Sequence, residues 1–335
     1  MKHPEELGNP AVLGVGNALV DIMISLPDDE PLRQFQLPRG SMTLVNSTLS
    51  KQIYESTRPW QKNVTTGGSA ANTIHTLACL GGTCGYAGKI GQDELGAIFS
   101  SEFKNRNIRN HLTFSSQGTG RVMAMVSPDS ERTMATFLGA AADLQSEEFP
   151  AEIFRDYQYL YIEGYLVQNH ELIETIVKNA HHAGLKVAVD LSSYNIVTEN
   201  LGFLKSLVSR FVDIVFANEE EAFAYTGLQP DEAVKAIAAE CELAVVKTGR
   251  QGSLVKSGES MAIIAPVPTT AVDTTGAGDS YAAGFLYGLT KGLTLQQCGD
   301  IASLVSSKAV ETLGAKIPDV SWPGLLETVK KIENQ

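Results

Sequence analysis

Positive charge is the first thing this sequence lacks. Its 335 residues carry 26 lysines and arginines against 38 aspartates and glutamates, a formal net charge of −12. Neutralising a nucleic-acid backbone needs a basic excess, so no nucleic-acid partner is expected. A small phosphate-bearing ligand stays open, because one local positive spot is enough for it. Cysteine is sparse too, at positions 79, 84, 241 and 298. Cys79 and Cys84 lie close in sequence, yet no second pair and no nearby histidine cluster completes a zinc pattern. No apolar run reaches the ~20 residues that cross a bilayer. The opening stretch MKHPEELGNP has no signal core. The expectation is a cytoplasmic protein with reduced thiols and no membrane partner.

What remains is enough for a sizeable core: 43% of residues are apolar and 19% charged. From residue 157 onward, strand-like runs (YLYIEGYL, LKVAVDLS, VDIVFAN, LAVVKTG) alternate with helix-like ones such as HELIETIVKNAHHAG and PDEAVKAIAAE. Continuous apolar strands separated by helices predict a doubly wound, mostly parallel sheet buried on both faces. Strand-like segments near 12–26, 37–46 and 110–138 break that alternation. They are expected to form a small β-sheet lid inserted in a single α/β domain spanning 1–335. Such a lid would cover the carboxyl ends of the parallel strands, where ligands bind in these sheets. An apolar lid face would suit pairing with a second copy in a homodimer, and is equally often simply covered.

Five motifs carry candidate chemistry. In DTTGAGDSYAAGF, from Asp273 to Phe285, Gly276, Ala277 and Gly278 precede Asp279 at an expected helix start. Unpaired amides and the positive end of the helix dipole make an anion cradle there. An aspartate beside it would repel a phosphate, unless an acceptor hydroxyl sits between them and gives Asp279 its proton. On spacing alone, Asp279 as base and Asp279 as a helix cap are equally served. In TTGGSAAN, Gly67 and Gly68 expose backbone to a ligand, and Asn72 offers a donor and an acceptor for vicinal hydroxyls; taken alone, the motif reads as a tight turn capped by Ser69. GVGNALVD contains Gly14 and Gly16, but Leu19 replaces the third glycine of a dinucleotide site and a strand follows. A nicotinamide oxidoreductase is therefore disfavoured. Asn17 and Asp21 remain as polar residues in an apolar run, explicable as a turn and a sheet-edge charge. FANEEEAFAYTG places Asn218 and Glu221 past a buried strand. There they suit a hydrated magnesium ion, and equally an acidic first helical turn. Lys247, Gly249 and Gly252 in AVVKTGRQGS form a strand-end loop able to pass a nucleotide, or a hairpin turn.

In this order and together, the five sites resemble the PfkB/ribokinase family of carbohydrate and nucleoside kinases over residues 11 to about 317. FLGAAADL, YIEGYL and DLSSYNIV are similar to its adenosine-kinase-like branch. The resemblance implies ATP-dependent phosphorylation of a hydroxymethyl group on a nucleoside or a sugar. Asp279 would be the base, and the amides of Gly276, Ala277 and Gly278 the anion hole. Asn17, Asp21, Gly67, Gly68 and Asn72 would bind substrate, with Arg132 of ERTMATFLGA reaching substrate or phosphate. Asn218, Lys247, Gly249 and Gly252 would contact ATP, and Glu221 would hold Mg2+ through water. Asp273, Thr275 and Gly314 fall where some members bind a monovalent cation such as K+. Two departures stand out: Asn17 and Asp21 are further apart than in the sugar kinases, and no lysine follows Gly67-Gly68. The alternative from another class is a nucleoside-binding sensor on the same fold, which would have no need of the acid beside the glycines.

Overall fold

Two sheets carry the strands of the computed structural model, which describes residues 11–129 and 131–335. Residues 1–10, where no signal core is expected, and Ser130 lie outside that description. The strands are β1 (Ala11–Val15), β2 (Leu19–Ser25), β3 (Met42–Leu44), β4 (Gln61–Gly67), β5 (Thr83–Gly91), β6 (Arg109–Ser115), β7 (Gly120–Val126) and β8 (Arg132–Phe137). The second half adds β9 (Tyr159–Glu163), β10 (Lys186–Asp190), β11 (Ile214–Asn218), β12 (Leu243–Lys247), β13 (Ser253–Ser257) and β14 (Ser260–Ile264). The helices are α1 (Glu30–Gln34), α2 (Ser47–Ser56), α3 (Ser69–Cys79), α4 (Glu94–Asn105), α5 (His170–His182), α6 (Tyr194–Phe211), α7 (Glu219–Thr226), α8 (Pro230–Ala238), α9 (Ala277–Thr290), α10 (Leu295–Ala309) and α11 (Trp322–Glu333).

The large sheet runs β14-β13-β12-β11-β10-β9-β1-β5-β6, parallel from β6 through β12 and antiparallel at β13 and β14. Its inner strands are apolar without a break because both faces are covered. In β1, for example, every residue is buried. Alternate side chains feed two cores, one on each face, with α3, α4, α9, α10 and α11 on one side and α5 to α8 on the other.

The small sheet runs β3-β8-β7-β2-β4. Here the pattern has period two. Val20, Ile22 and Ile24 of β2 are fully buried, with Met123, Met125 and Ala135 from the neighbouring strands and with Leu32, Leu37 and Ile53. Leu19, Asp21 and Met23 point the other way, into a cleft between the sheets.

The segments predicted as a lid therefore divide between the two sheets. Leu19–Ser25, Met42–Leu44, Gly120–Val126 and Arg132–Phe137 lie in the small sheet, whereas Ala11–Val15 and Arg109–Ser115 pair within the large one. The continuous burial of β1 suits only a two-faced position. The small sheet's remaining strand, β4, is polar at Lys62 and Asn63, which suits its place at a sheet edge and hid it from hydrophobic patterning.

Candidate active site

At their carboxyl edge, five strands of the large sheet end in polar residues: Asn17 just past β1, Glu163 on β9, Asp190 on β10, Asn218 on β11 and Lys247 on β12. The chain order reverses between β1 and β9, so this edge contains the switch point at which open α/β sheets bind ligands. All five residues line a cleft of about 2230 Å³, as do Asp21, Arg132, Gly68, Gly276, Ala277, Gly278 and Asp279. Glu221, Gly249, Gly252, Thr275 and Gly314 also reach it, whereas Gly67, Asn72 and Asp273 stand behind its wall.

The start of α9 forms one end of the site. Gly276 takes φ +74°, the left-handed region, and a Cβ there would lie 2.6 Å from that of Ala315. No side chain caps this helix. The Ala277 N–H turns back to the Thr274 carbonyl at 3.2 Å, so it is less available to a ligand than expected. The amides of Gly276, Gly278 and Asp279 find no partner among the described residues.

Asp279, one turn in, is held from α3. Its Oδ1 accepts from Ser69 Oγ at 2.7 Å and its Oδ2 from Asn72 Nδ2 at 3.0 Å. Asn72, expected to meet substrate directly, thus acts from behind the carboxylate, and its own Oδ1 is buried without a partner. Burial pushes the Asp279 carboxyl up to about 6. The Ser69 and Asn72 bonds pull it back down, Asp190 adds to the rise, and Lys247 opposes it.

The other glycine motifs serve close approach. A Cβ on Gly16 would lie 2.3 Å from Glu163 Oε2, and one on Gly14 2.2 Å from Ile74 Cγ1 of α3. The GxG pattern at the end of β1 is therefore a packing requirement. Asn17 is engaged too: its backbone N–H and its Nδ2 both donate to Glu163 Oε1, while Ala70 N–H donates to Oε2. Burial still raises the Glu163 carboxyl to about 7. Gly68 has φ +95°, and a Cβ on it would lie 2.1 Å from the Asn17 carbonyl. Gly67 makes room for Asp21, whose Oδ1 would lie 2.2 Å from a Cβ. Asp21 faces the cleft with no side-chain partner among the described residues. Burial raises it to about 6, against the pull of Lys316 and Arg132.

At the opposite end, Asn218 and Glu221 form a capping box at the start of α7. Asn218 Oδ1 accepts from Glu221 N–H, and Glu221 accepts from Asn218 N–H and Nδ2, each at 2.8 Å. Lys247 Nζ lies 2.9 Å from Asp190 Oδ2. Burial lifts Glu221 to about 7, helped by the Asp190 charge and opposed by Lys247. Three carboxylates, Asp190, Glu221 and Asp279, thus surround one ammonium. That excess of negative charge fits a cation carrying its own water shell, and each Glu221 oxygen accepts only one bond from the protein. Gly249 and Gly252 lie further along the cleft beside Pro266, Val267 and Ser303.

Asp273, Thr275 and Gly314 do come together, joined by hydrogen bonds, with a guanidinium beside them. Asp273 Oδ1 accepts from Thr275 N–H at 3.1 Å and from its Oγ1 at 2.8 Å, and Oδ2 accepts from Gly314 N–H at 2.7 Å. The Arg132 guanidinium lies 2.7 Å from Oδ2 as an ion pair without a hydrogen bond to it, and donates to Thr275 Oγ1. Among the described residues three hydrogen bonds reach the carboxylate, and its charge is compensated by a guanidinium.

The family described as pfkB family carbohydrate kinase matches residues 50–322. The chain belongs to that family. A 5-dehydro-2-deoxygluconokinase of Shouchella clausii is 31% identical over 286 residues, covering 79% of this chain and 86% of that protein. A solved structure of a probable sugar kinase protein from Rhizobium etli superposes with a TM-score of 0.85 at 33% identity, covering 97% of this chain and 99% of that one. The adenosine kinase of Sinorhizobium meliloti gives 0.84 at 33% identity with the same coverage. This is therefore a ribokinase-like phosphotransferase acting on alcohol groups of a sugar or nucleoside, with ATP as donor. Membership of a phosphotransferase family leaves the sensor alternative without support. Among the described residues no helix is long and apolar enough to cross a membrane, all four cysteines are free, and no cluster of metal-ligating side chains occurs.

Ser69, Glu163 and Asp190 were not singled out from sequence. Glu163 and Asp190 each end a buried strand with an acid, the same signal that flagged Asn218, so the rule could have found them. Ser69 was legible only as a helix cap, because its bond to Asp279 spans 210 positions.

Proposed function

We propose that this kinase transfers the terminal phosphoryl group of ATP to the hydroxymethyl oxygen of a neutral ribonucleoside, with Asp279 as general base. The observation that carries this reading is the Asp279 carboxylate, fixed by Ser69 and Asn72 beside the unpartnered amides at the start of α9. The acceptor's O–H proton passes to Asp279 while its oxygen bonds to phosphorus and the bond to the ADP oxygen breaks. The Gly276, Gly278 and Asp279 amides, with a lesser contribution from Ala277, hold the charge on the migrating group. Asp21 accepts bonds from the acceptor's remaining hydroxyls, over the gap left by Gly67. Glu221 would hold a magnesium ion through water, and the ion would supply neutralisation of the donor phosphates. The small sheet acts as a lid that excludes water and suppresses ATP hydrolysis.

A nucleoside is favoured over a phosphorylated sugar by two features of the cleft. Its small-sheet wall is apolar and rich in methionine at Met23, Met42, Leu44, Val122 and Met134, a surface suited to a flat heterocycle. Three arginines of the lid that a phosphate on the acceptor could use are engaged elsewhere. Arg39 pairs with Asp29 and Asp129, Arg121 lies on Ser50, Tyr54 and Phe137, and Arg132 on Asp273. An unphosphorylated sugar is the second reading, supported by the sugar-kinase relatives. ATP turnover across a panel of nucleosides, free sugars and sugar phosphates tests this. Turnover of a nucleoside above all others is expected, and exclusive use of a sugar phosphate would overturn the assignment.

A further inference from the structure

We propose that Asp190 is a positioning residue: it holds the Lys247 ammonium against the first turn of α9, where Lys247 binds the phosphate chain of the donor. The inference rests on the reading that phosphate sits at that helix start, and it gives a role to an acid that the motif DLSSYNIV contains without assigning it one. Three independent features support it.

The first is location. Asp190 and Lys247 end β10 and β12, with β11 between them, so their contact arches over the end of a central strand. Lys247 Nζ reaches 3.3 Å from the position a Cβ on Gly278 would occupy. The ammonium therefore stands against the unpartnered amides, adding a full charge to the partial charges of the helix terminus.

The second is how firmly Asp190 is set. Its side chain is 6% exposed and that of Lys247 13%. Ser192, two residues on, has φ +65°, a left-handed conformation unusual outside glycine. A web of bonds holds it there. Ser192 N–H donates to Asp190 Oδ1 at 2.9 Å, Ser192 Oγ accepts from Gly164 N–H at 2.9 Å, and the Ser192 carbonyl accepts from Tyr165 Oη at 3.2 Å. A strained residue held this way at the edge of a ligand cleft marks a geometry worth fixing.

The third is the charge pattern. A buried ion pair adds little to stability over apolar residues of the same shape. A pair kept at a site where Glu221 and Asp279 add two more carboxylates has another use: without Lys247, every charged side chain of this cluster would be an acid. Asp190 in turn prevents the flexible lysine stem from swinging to Glu221 or Asp279.

The test compares Asp190→Asn, Lys247→Met and the double variant with wild type. Readouts are melting temperature, kcat, KM for ATP, KM for the acceptor, and stabilisation by inorganic tripolyphosphate, a probe without a nucleoside. Loss of one bond to a charged group at the reacting phosphates is expected to lower kcat/KM for ATP by about 10- to 100-fold. The acceptor KM should stay unchanged and tripolyphosphate stabilisation should fall. Asp190→Asn should cost little more once Lys247→Met is present, because Asp190 acts through the lysine. A purely structural pair would lower the melting temperature alone and leave kcat, KM for ATP and tripolyphosphate binding as in wild type, which would overturn the proposal. Should Asp190→Asn fail to fold, Lys247→Met and the charge-free double variant decide it by the same readouts. Wild type that neither binds tripolyphosphate nor turns over ATP would remove the underlying phosphate site; wild type that does both, with Lys247→Met equal to it, would remove only this inference.

Discussion

Replacing Asp279 by asparagine should produce an enzyme that is nearly inactive and yet no less stable than wild type. The side chains are isosteric, so the surroundings need not move. Ser69 can still donate to Oδ1. Asn72 need only rotate its amide to meet the new Nδ2 with its Oδ1, which is now buried without a partner. Turnover should fall by about 10²–10⁴-fold, the usual worth of a general base. Stability should move the other way. Burial raises the carboxyl from 3.8 to about 6, so the charged form at pH 8 costs at most about 3 kcal/mol, at 1.36 kcal/mol per pKa unit. Removing that cost raises the melting temperature by up to ~4 °C for a chain of this length, at ~2.1 cal/mol/K of unfolding entropy per residue. The sign follows from linkage. A carboxyl raised in the folded state favours folding below its unfolded value, and that advantage is lost as pH rises through about 6. The variant's gain should therefore be full at pH 8 and vanish below about pH 4. Kinetics on the best acceptor and melting curves at both pH values measure this. A variant that keeps near-normal turnover would refute the base role. One that melts well below wild type at pH 8 would refute the electrostatic account.

Three further outcomes follow from neighbouring contacts. Ser69→Ala removes a bond that pulls the Asp279 carboxyl down, so the acidic limb of kcat/KM should move to higher pH, with turnover at pH 8 reduced by about tenfold; an unmoved limb would uncouple Ser69 from the base. Gly67→Ala places a Cβ 2.2 Å from Asp21 Oδ1, which should raise the acceptor KM while KM for ATP holds, as steady-state kinetics with each substrate varied would show. Because the Asp273 charge is already compensated by Arg132, which also donates to Thr275, exchanging choline for potassium chloride at constant ionic strength should leave turnover unchanged. A clear potassium activation would show that Arg132 yields its place.

Much of this fold was readable because one physical rule repeats. Strands buried on both faces are apolar throughout, and from β9 to β12 nothing interrupts that pattern. The small sheet was only half readable. β2 is legible as an apolar run, but β1 reads as its partner because the turn at Gly16 and Asn17 separates two apolar runs that go to different sheets. β4 went unseen because edge strands carry polar residues, and α11 because its single apolar stripe of Trp322, Leu325 and Val329 is thin. In the site, glycine spacing and one acid located the start of α9. Which groups that acid touches depends on α3 arriving from more than 200 positions away, and no local pattern encodes that. The same holds for Arg132 and Asp273, 141 positions apart by their numbers, whose contact sets a guanidinium beside the expected cation ligands.

Phosphorus NMR of the product made by the wild-type enzyme from ATP and its preferred acceptor tests the central claim most directly. The phosphorus of a hydroxymethyl phosphate couples to two methylene protons with similar constants, so the account predicts a new phosphomonoester triplet growing in step with ADP, and its loss with Asp279→Asn. A doublet from a secondary or anomeric hydroxyl, or ADP accumulating with no phosphomonoester at all, would contradict it.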